Sequence, residues 1–184
     1  MTVKTYSKAA NGTKKLSANF TVKEFACQDG SDKILIDDGM VRLLQLVRDQ
    51  FGKPVIITSG YRTAAHNKKV GGTSASQHLY GKAVDFYING VPMLEIAQCC
   101  ERMGFYGIGL YEGWVHADVR DKKYFWDQQS GTARWVSTFG EAKIVDTNYT
   151  KVQEAAGLSD DTMAYLQKYK YGDDLLEKLA AAMK

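Results

Sequence analysis

The segment 37–58 constrains this chain most. Met40, Leu43, Leu44, Val47 and Phe51 recur at three- and four-residue steps, which predicts an amphipathic helix over 38–51 with one apolar stripe. Gly52 ends the helix and Pro54 prevents its continuation. Val55, Ile56, Ile57 and Thr58 follow at once as a short β-branched strand. A one-striped helix joined to an apolar strand calls for a layer of helices on a sheet.

The rest of the chain repeats that alternation. Residues 82–88 read as a strand, Pro92 opens a helix to about Met103, and 107–110 and 114–119 read as two more short strands. Earlier, Thr21 followed by Glu24 is a capping-box signature for a short helix within LSANFTVKEF, and CQDGSD supplies a turn. Between the strands at 55–58 and 82–88, the polar stretch holding Asn67, Gly71, Gly72 and Ser74 reads mostly as loop, and loops of that length tend to be functional. QQSGTARW after Trp126 also reads as loop. The expected class is α+β: a small, largely antiparallel sheet with packed helices. The expected organisation is a loosely held segment 1–15, a domain 16–147, and a small helical module 148–184 with Leu175, Leu176, Leu179 and Ala180 at helical spacing.

Composition narrows the function. A chain of 184 residues, 45% hydrophobic and 24% charged, can bury a core without covalent staples. Its net charge of +3 suits an anionic surface such as a bacterial wall, but is too small and too evenly spread for nucleic acid. No stretch approaches the roughly 20 apolar residues of a membrane helix, so membrane insertion is not expected. The opening MTVKTYSKAANGTKK lacks the apolar run of a secretory signal, so the expectation is synthesis in the cytoplasm, with release by another route for any action outside. Cys27, Cys99 and Cys100 give no even disulfide framework and read as buried thiols.

The chain has only three histidines, which makes their placement informative. His78 stands where the long polar stretch enters the strand at 82–88. Asp85 is the one charge in AVDFYI, where an inward carboxylate is costly unless paired or bound to a metal. His116 lies in the equally apolar WVHADV. Two imidazoles and a carboxylate are a ligand set of catalytic zinc sites, with a fourth position left for water. Each residue alone has a plainer reading, a satisfied core histidine or a turn-capping aspartate. His66, among cations in TAAHNKKV, reads as a solvated loop residue.

The stretches SGYRT (59–63), NKKVGG (67–72), SQHLYGKAVD (76–85) and GIGLYEGWVHADVR (107–120) resemble the family of D-alanyl-D-alanine carboxypeptidases and L-alanyl-D-glutamate endopeptidases, zinc peptidases that share their metal site with the hedgehog signalling domain. The resemblance covers about 16–126. It implies Zn2+ held by His78, Asp85 and His116. It also implies an arginine, Arg62, facing the metal, suited to a substrate carboxylate or to the oxyanion formed on attack. A carboxylate must take the proton of water and pass it to the leaving amine. Asp118, two residues beyond His116 and on its face if the strand is regular, is the first candidate; Glu112 is the second. Relatives often carry an acidic residue three positions before the last zinc histidine, where this chain has Gly113.

The resemblance therefore implies a zinc-dependent peptidase acting on peptidoglycan peptide stems, as a D-Ala-D-Ala carboxypeptidase or an endopeptidase, of phage or prophage lysin type. The alternative is a catalytically weak zinc-containing domain that binds wall or partner, since hedgehog-like relatives keep the metal as binding proteins. The C-terminal module admits two readings, packing on the catalytic domain or contact with the wall. Ser76 reads as a turn cap, Gly71-Gly72 as a tight turn, and Tyr80, Tyr111 and Trp114 as groove-lining or core aromatics.

Overall fold

The computed structural model describes residues 2–140 and, beyond them, Ala156; the helices expected over 148–184 lie outside the described residues. The chain runs β1 (Val3–Ser7), α1 (Lys8–Asn11), a 3-10 turn Val22–Phe25, β2 (Lys33–Asp37), α2 (Asp38–Phe51), β3 (Val55–Ser59), α3 (Ala64–Lys69), a 3-10 turn Gln77–Tyr80, β4 (Ala83–Ile88), α4 (Met93–Met103), β5 (Gly107–Leu110), β6 (Val115–Asp118), β7 (Tyr124–Asp127) and β8 (Arg134–Val136). The fold is α+β. Six strands form one sheet in the order β3-β4-β6-β5-β7-β8, antiparallel throughout except for the parallel β5–β7 pair.

Two helices carry the core. Asp37 caps α2 by accepting from Met40 N at 3.0 Å, and Gly52 closes it at φ 59°. The stripe Met40, Leu43, Leu44 and Val47 is buried, and α4 buries Ile96, Ala97, Cys99 and Cys100 beside it. α4 packs on one face of the sheet and α2 packs against α4; on that face Val84, Phe86, Ile88, Ile108, Leu110, Val115, Ala117 and Phe125 are all at most 2% exposed. Because side chains alternate along a strand, the intervening residues point to the other face. Asp85, Gly107, Gly109, His116 and Asp118 belong to that set, and it is there that the polar chemistry collects.

Three expectations are corrected. The segment expected to be loosely held carries β1 and α1. Val3–Ser7 pairs antiparallel with Lys33–Asp37, a strand that periodicity over five residues did not disclose, and Ser7 caps α1 by accepting from Ala10 N. The polar stretch after β3 is not all loop: Thr63 Oγ1 accepts from His66 N to start α3, and a 3-10 turn carries His78. Beyond Phe125, the segment read as loop contributes β8, with Trp126 opposite Trp135. No helix among the described residues is long and apolar enough to cross a membrane.

Candidate metal centre

Register builds the site. β4 and β6 pair so that Asp85 lies opposite His116, and Ala83 opposite Asp118. His78 arrives from outside the sheet on its 3-10 turn, tied down by Arg62 N donating to His78 O at 3.1 Å. The three residues converge: their ligand atoms lie within 4.8 Å of one another, and all three side chains are buried. His78 Nε2 is 3.1 Å from Asp85 Oδ1 and 3.2 Å from His116 Nδ1, which is 2.8 Å from the same oxygen. Two donors about 2.0–2.1 Å from a tetrahedral zinc sit about 3.3 Å apart, so the triangle is nearly the right size.

The hydrogen bonds around the triangle set its electronics. His78 Nδ1 donates to Gly60 O at 2.6 Å, which turns the lone pair of Nε2 toward the cluster. His116 Nε2 donates to Asp118 Oδ2 at 3.0 Å, which turns Nδ1 inward. Asp85 Oδ2 is held by Arg62 Nη2 at 2.5 Å, leaving Oδ1 facing the two imidazoles. Three lone pairs thus meet in a buried space, an arrangement that requires a positive charge among them, either a proton or a metal ion. Burial disfavours the charge on Asp85, but hydrogen bonds from His116 and His78 outweigh it and hold the carboxyl below its usual range. Burial likewise disfavours the imidazolium of His116. The bonds to Asp118 and Asp85 reverse that and hold its pKa at about 9. His78, where burial dominates, is shifted down. The donor set fits a divalent metal of the borderline class to which zinc belongs.

The supporting groups are as well fixed as the ligands. A register shift between Ile57 and Ser59 in β3 sets Ser59 opposite Asp85. Ser59 Oγ accepts from Arg62 Nε at 2.8 Å, and Thr58 Oγ1 donates to Asp85 O at 3.1 Å. Asp118 is fully buried. Its Oδ1 accepts from Arg120 N at 3.0 Å and Arg120 Nε at 2.8 Å, and its Oδ2 accepts from Arg120 Nη2. Burial raises the Asp118 pKa, but the bonds from Arg120 and His116 outweigh it and hold the group ionised. Gly107 and Gly109 make room for this layer. A Cβ on Gly107 would lie 2.1 Å from Asp118 Oδ2, and one on Gly109 2.4 Å from the Trp126 ring.

Glu112 is exposed in the two-residue turn between Tyr111 and Trp114, whose rings stack at 4.6 Å on the site face. His66 sits in α3, apart from the cluster, and Tyr80 is half exposed. Cys27, Cys99 and Cys100 are free and buried. Sequence reasoning missed Arg120 and Trp126. The first was visible as a cation two residues past Asp118 in HADVR. The second became legible only with β7 in place, its ring 5.2 Å from that of His116.

Parts of this chain are similar to known proteins. The chain is 36% identical over 63 residues to the zinc D-Ala-D-Ala carboxypeptidase of Streptomyces albus G, covering 34% of this chain and 25% of that protein. It is 30% identical over 99 residues to the peptidoglycan L,D-endopeptidase MepK of Escherichia coli K12, covering 49% of this chain and 54% of the relative. A probable peptidoglycan L,D-endopeptidase MepK of Haemophilus influenzae is 33% identical over 70 residues, covering 34% of this chain and 38% of that protein. The chain therefore spans about half or less of the length of these relatives. Residues 18–118 match the Peptidase M15 family, a span that takes in all three cluster residues together with Arg62, Glu112 and Asp118. Since that match covers more than half of the chain, the protein belongs to the peptidase M15 family.

Proposed function

We propose that this chain is a zinc-dependent peptidase that cuts the peptide stems of bacterial peptidoglycan at the cell wall. The observation that carries the reading is the convergence of His78 Nε2, Asp85 Oδ1 and His116 Nδ1, each turned inward by its own outer hydrogen bond. The names of the relatives supply the substrate class. Bound there, a zinc ion would polarise the scissile carbonyl and bring the pKa of water down to about 7.

The protein's own groups divide the remaining work. His78, Asp85 and His116 hold the ion. Arg62 aims Asp85 by taking its outer oxygen, and Asp118 keeps the proton of His116 on Nε2. Asp118 acts as a positioning residue in this reading, because both its oxygens are engaged and none of it reaches solvent. Glu112 then becomes the carboxylate that accepts the proton of water and returns it to the amide nitrogen. It is exposed and makes no hydrogen bond to the described residues. Endo cleavage is favoured over removal of a terminal residue. Two of the three nitrogens of Arg62 are engaged by Ser59 and Asp85, which breaks up the fork that would clamp a free carboxylate.

The test is incubation of zinc-loaded protein with purified peptidoglycan, with mass analysis of the released peptides. New amino groups within the stem or cross-link support endo action, and free terminal D-alanine alone would support exo action. Bound zinc without release of either would favour a binding domain. His78→Ala and His116→Ala should lose metal and activity together. Glu112→Gln should keep the metal and lose turnover by roughly 10²–10⁴-fold. Full activity in Glu112→Gln would return the proton-transfer role to Asp118.

A further inference from the structure

The site face does not stop at the metal cluster. From β6 it continues across β5 and β7 to the edge strand β8. Trp126 lies over Gly109 and against the ring of His116, and Trp135 is its cross-strand partner on the same face. Trp135 is 64% exposed, and Tyr124, on the same side of β7, is 48% exposed. Arg120 sits with its guanidinium 5.3 Å from the Tyr124 ring and 5.8 Å from that of Trp126. Trp126 and Trp135 lie beyond residues 18–118, so this row extends the part of the chain that matches the family.

We propose that Trp135 forms the platform of a subsite for a pyranose ring of the glycan strand, with Trp126 between it and the metal cluster, so that the enzyme takes stem peptides still attached to their sugar. The proposal rests on the peptidoglycan reading above. A pyranose presents a flat face of C–H bonds rimmed by hydroxyls, and it stacks on an exposed indole while its rim meets donors such as Arg120. The large exposed apolar groups on this face, among the described residues, are aromatic rings: Trp114, Tyr124 and Trp135. The spacing also fits. Trp135 stands three strands from His116, about 14 Å at the usual inter-strand distance. An extended peptide covers that in about four residues, which places the scissile bond near the third or fourth residue from the sugar.

The experiment uses the full chain and two readouts. Chitotriose is titrated while the indole N–H resonances are followed, each assigned through its Trp→Tyr variant. A saturable shift at Trp135 but not at Trp114 is expected; no saturable shift at Trp135 overturns the subsite. Kinetics then compare glycan-linked stems with the same stems freed from sugar. Trp135→Ala should raise KM about tenfold on the linked substrate alone, and Trp135→Tyr should restore most of the loss. Equal losses on both substrates, or none on either, overturn the proposal while the peptidase reading stands. Saturable binding by a wild type that cleaves neither substrate would sink the peptidase reading and leave the sugar contact.

Discussion

Replacing Gly107 by Ala tests whether the buried layer behind the metal ligands governs the site. The new Cβ would lie 2.1–2.3 Å from Oδ2, Cγ and Oδ1 of Asp118, so the whole carboxylate must retreat by about 1 Å to reach ordinary contact. It has little room to do so. Arg120 holds it through both oxygens, Arg120 N and His116 Nε2 add two more bonds, and the group is fully buried. Disrupting a buried charged network of this kind costs about 3–5 kcal/mol. Losing the orientation of His116 should weaken metal binding by about 10–100-fold. Denaturant unfolding gives the first quantity, and chelator competition for zinc gives the second. A double-mutant cycle with Asp118→Ala isolates the cause, since that change removes every atom the Cβ would strike within 2.3 Å. Coupling of at least about 2 kcal/mol is expected. Additivity within about 0.5 kcal/mol would refute the argument, because Gly107 would then be needed for something other than room for that carboxylate.

His116, held up to about 9 by Asp118 and Asp85, gives metal-free protein a stabilisation fully present below the unfolded histidine value and lost as pH rises through about 9. Thermal unfolding after zinc removal should show a decline on the order of 3 kcal/mol between pH 6.5 and 9, and a flat profile there would contradict it. Burial pushes Cys99 up to about 11 and Cys100 well above the usual thiol value, so both should resist a thiol reagent at pH 8 until the protein unfolds, whereas fast labelling of native protein would place them elsewhere. Gly109→Ala should displace the Trp126 ring, costing about 1–3 kcal/mol and changing near-ultraviolet circular dichroism; an unchanged spectrum would count against the close approach.

What could be read from the amino acids alone was whatever is encoded by short-range pattern. The stripe of α2 and its stop at Gly52-Pro54, the apolar run of β4 with its single carboxylate, and the scarcity of histidine all reside within a few residues of one another. Together they indicated an α+β fold and a polar cluster in an apolar setting. Tertiary structure decided the rest, because those outcomes depend on pairing between distant segments. The β1–β2 ribbon exists only when residues 3–7 meet 33–37, and β8 only when Trp135 finds Trp126. The orientation of Asp118 could not be inferred from its two-residue offset from His116. That offset places both side chains on one face but does not tell whether the carboxylate meets solvent or the buried fork of Arg120, and pairing of β6 between β4 and β5 decides it.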